Sequence, residues 1–313
     1  MKIAILKPDH LGDLVLSSPA INKILSLNHD VTLIINKNID FLARFLFPQV
    51  KILHVTFAHL SRNSEVDFLE PIFEQVKSSD LLISLRNDPI MKTLIFNRIN
   101  SSNFWITEDS LDDHESNLQQ KCISPVTGEY KPIDFFYTYQ KTNKLWPTKI
   151  SKLGLVISAG FFNNSLPLSR WLEFSEHFIK SFSSKIFIIC GPNEYPDAMI
   201  LQKLIGTAEI IKGGNNIVPF LDSISILDLL VATDSGTAHL CSLSGVPILS
   251  LFGASPSTRF RPLGVSNRLV TLNYNCSPCP QFEINKINLC TTKECLTNIR
   301  LRNIIDVLPA RGK

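Results

Sequence analysis

Two short segments combine a turn with residue types able to hold or deprotonate a ligand. The first is Ala232-Thr233-Asp234-Ser235-Gly236-Thr237-Ala238-His239-Leu240. Its apolar lead-in predicts a strand, and Ser235 is a residue type that caps a helix by accepting a backbone N–H. Gly236 and Thr237 would then leave free N–H groups in the first turn. With the positive end of the helix dipole they suit a phosphate or diphosphate. Gly245-Val246-Pro247 stops that helix and opens the next strand. The bland alternative is a plain capped turn with His239 packed beneath it. The second segment is His10-Leu11-Gly12-Asp13-Leu14-Val15-Leu16-Ser17-Ser18-Pro19, directly after a first strand. Gly12 would permit a tight turn open to a substrate. Asp13, at a helix start, could take a proton from a hydroxyl nucleophile as general base. As a helix cap alone it would be inert and worth ~1 kcal/mol.

Four of the seven cysteines, Cys276, Cys279, Cys290 and Cys295, follow a C-x2-C-x10-C-x4-C pattern. Three accounts stay open: four thiolates around zinc or iron, reduced cysteines in a loop–helix packing element, or a disulfide. Cys122, Cys190 and Cys241 are scattered, and two of them sit in apolar surroundings as small core residues. Trp105, Trp146 and Trp171 are expected in packing, and Arg259 and Arg261 as solvated surface arginines. His10 and His239 are the histidines that fall inside motifs.

These segments need a scaffold that brings loops to one edge. The chain has 313 residues, enough for two domains. Hydrophobic residues make up 44% and charged residues 19%, too apolar for a disordered chain. A formal net charge of +3 without a long basic run argues against nucleic acid as partner and leaves room for a local contact with a membrane surface. No apolar stretch reaches the roughly 18–20 residues of a membrane span. The early Lys7 and Asp9 argue against a secretory leader, so a soluble, cytoplasmic protein is expected. Apolar runs at 2–6, 31–36, 51–55 and 81–85 alternate with helical patterns at 11–27 (interrupted by Pro19), 41–47, 65–77 and 88–97. After a polar, acidic stretch (Glu108, Asp109, Asp112, Asp113, Glu115) short of clean strands, residues 137–151 read as a connection. Strands at 153–158, 185–190, 209–212, 229–233 and 246–252 then resume the alternation, and Trp171, Phe174, Phe178 and Phe182 form one helical stripe. This is the pattern of parallel α/β units. Two doubly wound domains, 1–150 and 151–313, are expected. G-x-G-x-x-G, Walker and G-x-S-x-G signatures are absent, which disfavours a dinucleotide-binding dehydrogenase, a P-loop NTPase and an esterase-type elbow.

Together, LGDLVLSSPAI near the start and TDSGTAHLCSLSGVPILSLFG about 220 residues later resemble the heptosyltransferases, glycosyltransferases that use ADP-heptose to build the inner core of lipopolysaccharide. Cys190-Gly191-Pro192-Asn193-Glu194, Phe252-Gly253-Ala254-Ser255-Pro256 and the closing C-x-x-C segment through Cys295-Leu296 carry the resemblance further. It implies a GT-B fold: two Rossmann-like domains facing a cleft, with acceptor in the first and nucleotide-sugar in the second. It implies Asp13 as catalytic base. Asp234, Ser235, Gly236, Thr237, His239, Gly191 and Glu194 fall on the donor side, and Lys7 and Gly12 on the acceptor side. An inverting transfer is implied from ADP-heptose or a similar nucleotide-sugar to a lipid-linked saccharide at the inner face of the inner membrane, with no cofactor required. The alternatives are a hexosyltransferase using a UDP- or GDP-sugar, or a non-catalytic nucleotide-sugar binder. Members carry a lysine before Trp-Pro in the first loop of the second domain. Here that loop reads Phe161-Phe162-Asn163-Asn164-Ser165-Leu166-Pro167, without lysine.

Overall fold

The computed structural model describes residues 1–55, 73–74, 77–87, 104–108, 110–128, 130, 144–264, 266–279 and 290–308. The chain divides into two compact units, Met1–Ile133 and Asp134–Lys313. Each is built on a parallel sheet whose central strands are buried on both faces, so they read as continuous apolar runs rather than alternating ones.

In the first unit, strands β1 (Lys2–Lys7), β2 (Asp30–Asn36), β3 (Lys51–Val55), β4 (Leu81–Ser84) and β5 (Phe104–Ile106) lie in the order β3-β2-β1-β4-β5. Every pairing is parallel, with Ile5 opposite Leu33 on one side and Ile83 on the other. The order reverses between β1 and β4, and crevices at such reversals, at the carboxyl ends of strands, are where open α/β sheets bind ligands. Helix α1 (Leu11–Leu25) leaves β1 there and α2 (Asp40–Leu46) follows β2.

Two expectations fail in this unit. Pro19 does not interrupt α1. It offers no N–H to the carbonyl of Val15, but the Ser18 hydroxyl donates to that oxygen at 2.8 Å, so the helix keeps its bond and runs on. The polar stretch that breaks the alternation, read as short of clean strands, holds β5 and an unexpected helix α3 (Glu115–Thr127), closed by Gly128 at φ 78°. Its buried face is polar (Glu115, Ser116, Gln119), which hid it from a search for apolar periodicity. Ser116 Oγ donates to Leu16 O at 2.6 Å and fastens α3 to α1. The helices expected at 65–77 and 88–97, and the first part of the connection at 137–151, lie largely outside the described residues.

The second unit orders its strands β11-β10-β9-β6-β7-β8: β6 (Lys152–Val156), β7 (Lys185–Cys190), β8 (Glu209–Lys212), β9 (Leu229–Thr233), β10 (Ile248–Phe252) and β11 (Arg268–Thr271). Counted from β6, this is the dinucleotide-fold order 3-2-1-4-5-6 read from the other edge, all parallel, with its reversal between β6 and β9. Helix α4 (Leu168–Phe182) buries Trp171, Phe174 and Phe178 as the stripe predicted, and Trp171 meets Phe174 edge-on at 6.2 Å. Helices α5 (Tyr195–Ile205), α6 (Ile217–Ser225) and α7 (Gly236–Ser242) join the later strands. Helix α6 was not expected, although Ile217, Phe220, Leu221 and Ile224 are its buried i, i+3, i+4, i+7 set. Short helices α8 (Ser257–Phe260), α9 (Glu294–Thr297) and α10 (Leu301–Ile305) complete the unit. Among the described residues no helix is long and apolar enough to cross a membrane.

Candidate functional site

In the first unit the reversal point gathers charge. Helix α1 starts one residue earlier than a turn at Gly12 would require, with His10 at its cap and Gly12 helical and buried, so the tight turn expected there is absent. Asp13 sits in the first turn, and the His10 N–H donates to its Oδ2 at 3.2 Å. Behind it lies Lys7, 3% exposed, donating from Nζ to Leu85 O at 3.0 Å and paired with Asp9 at 3.0 Å; Arg86 meets Asp9 at 3.1 Å. Lys7 is therefore an interior cation that braces the β1 and β4 loops. Glu115 is buried, and the Gln119 amide donates to its Oε1 at 2.9 Å. Burial pushes the Asp13 carboxyl above the usual carboxylate range; Lys7 opposes the rise, while Asp9 and Glu115 add to it. Burial lowers the Lys7 ammonium, but Asp9, Asp13 and Glu115 outweigh it and leave Lys7 above the ordinary lysine value. A carboxylate held neutral to higher pH than usual is a stronger base once ionised, which suits proton abstraction.

In the second unit, loops after β6, β7, β9 and β10 supply a second constellation. Ser235 caps α7 as expected, its hydroxyl accepting from Ala238 N at 3.2 Å. Gly236 and Thr237 follow it, half-buried in the first turn. Asp234 is fixed from two sides. Asn164 Nδ2, in the 3-10 turn Phe162–Asn164 after β6, donates to its Oδ2 at 3.2 Å and to Ser255 Oγ at 3.1 Å. His239 Nε2 stands 3.6 Å from Asp234 Oδ1. His239 is 4% exposed and its Nδ1 has no hydrogen-bond partner among the described residues, the kind of buried polar atom that a ligand or water satisfies. Gly191 and Glu194 meet through Ser158: the Gly191 N–H donates to Ser158 Oγ at 2.8 Å, and that hydroxyl donates to Glu194 Oε2 at 3.1 Å. A Cβ on Gly191 would stand 2.8 Å from Glu194 Oε2, so any larger residue here would make that carboxylate shift. Arg259, expected on the surface, is instead 5% exposed, its guanidinium 5.0 Å from the Phe260 ring centre.

A sequence profile of glycosyltransferase family 9 (heptosyltransferase) matches residues 112–289, more than half of the chain. The chain belongs to glycosyltransferase family 9. It is accordingly a glycosyltransferase. It is 23% identical over 324 aligned residues to lipooligosaccharide heptosyltransferase 2 of Campylobacter jejuni, covering 98% of this chain and 97% of that protein. Among solved structures, the E. coli ADP-heptose lps heptosyltransferase II superposes with a TM-score of 0.66 at 12% identity over 98% of this chain and 97% of that one. The E. coli heptosyltransferase WaaC with ADP gives 0.62 at 13% over 86% and 92%. At these identities the likeness is one of fold, and it extends to both α/β units.

In this family 9 chain the candidate site also gathers residues that sequence patterns did not single out. Asn164 and Ser158 lie in loops after β6, and only the strand order reveals that these loops flank the Asp234 turn. Glu115 read only as one residue of an acidic patch in a polar stretch. The cysteines stand as free thiols, and among the described residues no group of three or more His, Cys, Asp or Glu is arranged to hold a metal ion. Their segment packs on the β10 loop: the Cys279 N–H donates to Ala254 O at 2.7 Å, and Ser277 Oγ donates to Gly253 O at 2.6 Å.

Proposed function

We propose that this enzyme is an inverting transferase that moves a heptose, or a closely similar sugar, from an ADP-sugar to a saccharide of a lipopolysaccharide core or related glycan. The observation that carries the reading is that each sheet presents its chemistry at its own reversal point: a carboxylate of raised pKa in the first unit, and the Asn164–Asp234–His239 set with the Ser235 turn in the second. The names of the relatives support the donor and the acceptor class: one acts on lipooligosaccharide, and another has been solved with ADP.

In this mechanism the acceptor hydroxyl attacks the anomeric carbon from the face opposite the leaving diphosphate. As the new C–O bond forms, Asp13 takes the hydroxyl proton and the bond to ADP breaks. Charge gathers on the β-phosphate, where the N–H groups of Ser235–Thr237 meet it. Helix α7 has only 7 residues, so these individual donors matter more than its dipole. Asp234 and His239 orient the sugar hydroxyls or the diphosphate, and Gly191 with Glu194 shapes the nucleoside side. The ADP-sugar is substrate, and the reaction calls on no further cofactor. A lipid-linked acceptor places the enzyme at the inner face of the inner membrane.

The test is transfer by purified enzyme given ADP-, UDP- and GDP-sugars, beside its Asp13→Ala variant. Transfer from the ADP-sugar alone, lost in the variant while ADP still binds, is expected. Equal rates in variant and parent would remove Asp13 from the mechanism, and transfer from a UDP- or GDP-sugar would replace the donor.

A further inference from the structure

The turn that holds Asn164 carries no cation of its own, yet a buried cation grips it from elsewhere in the chain. Lys293, between Cys290 and Cys295, is 8% exposed. Its Nζ donates to Phe162 O at 3.1 Å, to Ser165 O at 3.0 Å and to Ser165 Oγ at 3.0 Å, and it stands 3.7 Å from the Phe162 ring centre. Those acceptors bracket Asn164, whose amide reaches Asp234 and Ser255. All three ammonium protons are engaged, and no carboxylate pairs with Lys293 among the described residues. Its backbone is left-handed, at φ 50°, a conformation a lysine keeps only where its surroundings hold it there.

The surroundings are visible. Cys295 and Leu296, at the end of the Cys-rich segment, lie against the loop after β10: a Cβ on Gly253 would come within 2.9 Å of Cys295 Sγ and 3.0 Å of Leu296 Cβ. Leu296 and Thr297 N–H groups both donate to Lys293 O at 2.8 Å, starting α9 from it. The segment thus touches two of the loops that frame Asp234, one through Gly253 and one through Lys293.

We infer that Lys293 is a positioning residue for nucleotide-sugar binding: it clamps the 162–165 turn so that Asn164 fixes Asp234, and it brings a positive charge to a loop that has none. This rests on the donor reading above and assigns the Cys-rich segment a part in it. Lys293 does not touch the donor through its protons, which are spent on the turn; it acts through Asn164 and through its charge.

The experiment compares the full-length wild type with Lys293→Met and Lys293→Arg by two readouts. One is hydrogen–deuterium exchange of the 159–167 segment in ligand-free protein, and the other is ADP affinity by calorimetry. Lys293→Met should speed exchange in that segment while sparing the strands, and should weaken ADP binding by about tenfold, the scale of losing a charged hydrogen-bonding group. Lys293→Arg keeps the charge but cannot match three acceptors with a planar fork, so it should fall between. It carries both readouts should Lys293→Met fail to fold. Unchanged exchange and affinity overturn the inference, as does a loosened turn with undiminished ADP binding. If the wild type itself takes no ADP, it is the donor assignment that falls, and exchange of the turn still decides whether Lys293 holds it.

Discussion

Asp13 brings two demands into conflict. As the proposed base it must ionise, but its surroundings oppose that charge: burial and the nearby Asp9 and Glu115 outweigh the help of Lys7. A carboxyl whose pKa is raised on folding binds its proton more tightly in the native state, so its contribution to stability is present at low pH and is lost as pH rises toward the folded pKa. Asp13→Asn keeps an oxygen for the His10 N–H and removes the charge. It should therefore melt at a higher temperature than the parent at neutral pH while losing transfer by on the order of 10²–10⁴-fold. Scanning calorimetry beside a transfer assay checks both; a lower melting temperature would mean that the Lys7 attraction dominates. The same sign governs the rate, because only the ionised carboxylate accepts a proton. The acid limb of kcat/KM should lie above the usual carboxylate range, and an acid limb at the ordinary aspartate value would argue against Asp13 as the base. Asp13 stood out in the sequence as a candidate only when LGD after the first strand was paired with the Asp234 segment in the family resemblance. Glu115 and Lys7, which tune it, were not legible as a cluster, since they meet it only through the sheet and α3.

At the scale of elements, the second unit depends on how closely α4 and the sheet are packed. Trp171, at 1% exposure, is among the largest fully buried side chains, and Trp171→Ala should cost about 3–5 kcal/mol in denaturant unfolding. Gly154 raises the opposite problem. In the middle of β6, a Cβ would stand 2.5 Å from Leu230 Cδ2, 2.8 Å from Ile189 Cδ1 and 2.9 Å from Leu227 Cδ1, all fully buried partners. Gly154→Ala should therefore destabilise by about 1–3 kcal/mol through overpacking, despite the better strand propensity of alanine. A neutral result would show that these side chains have room to turn away. Elements with apolar periodicity, such as α4 and the strands around it, could be read in advance. Helix α3 could not, because its buried positions are Glu115, Ser116, Gln119 and Gln120 as well as Leu118 and Ile123. In α1 the proline misled for a related reason: the hydroxyl that replaces the missing N–H comes from its neighbour Ser18, a compensation local composition does not advertise.

For the whole molecule, the donor assignment makes a thermodynamic prediction that needs no acceptor. A nucleotide that binds the native state alone raises stability by about 2.7 kcal/mol at a concentration of 100 Kd. ADP should lift the melting temperature measurably, and UDP or GDP at the same concentration should not; the reverse order would move the enzyme to another donor class. The amino-acid sequence alone determined the parallel α/β character and the family resemblance, and it marked Asp13 and the Asp234–His239 segment as candidates, because each rests on residues adjacent in the chain and on periodicities set by backbone geometry. Tertiary structure alone decided which loops are neighbours. Strand order puts the β6 loop beside the β9 turn, so that Asn164 reaches Asp234 across 70 positions and Lys293 reaches Ser165 across 128. Hydrogen bonds of that reach are set by how a sheet is wound, and strand order leaves no local trace in a linear pattern of side chains.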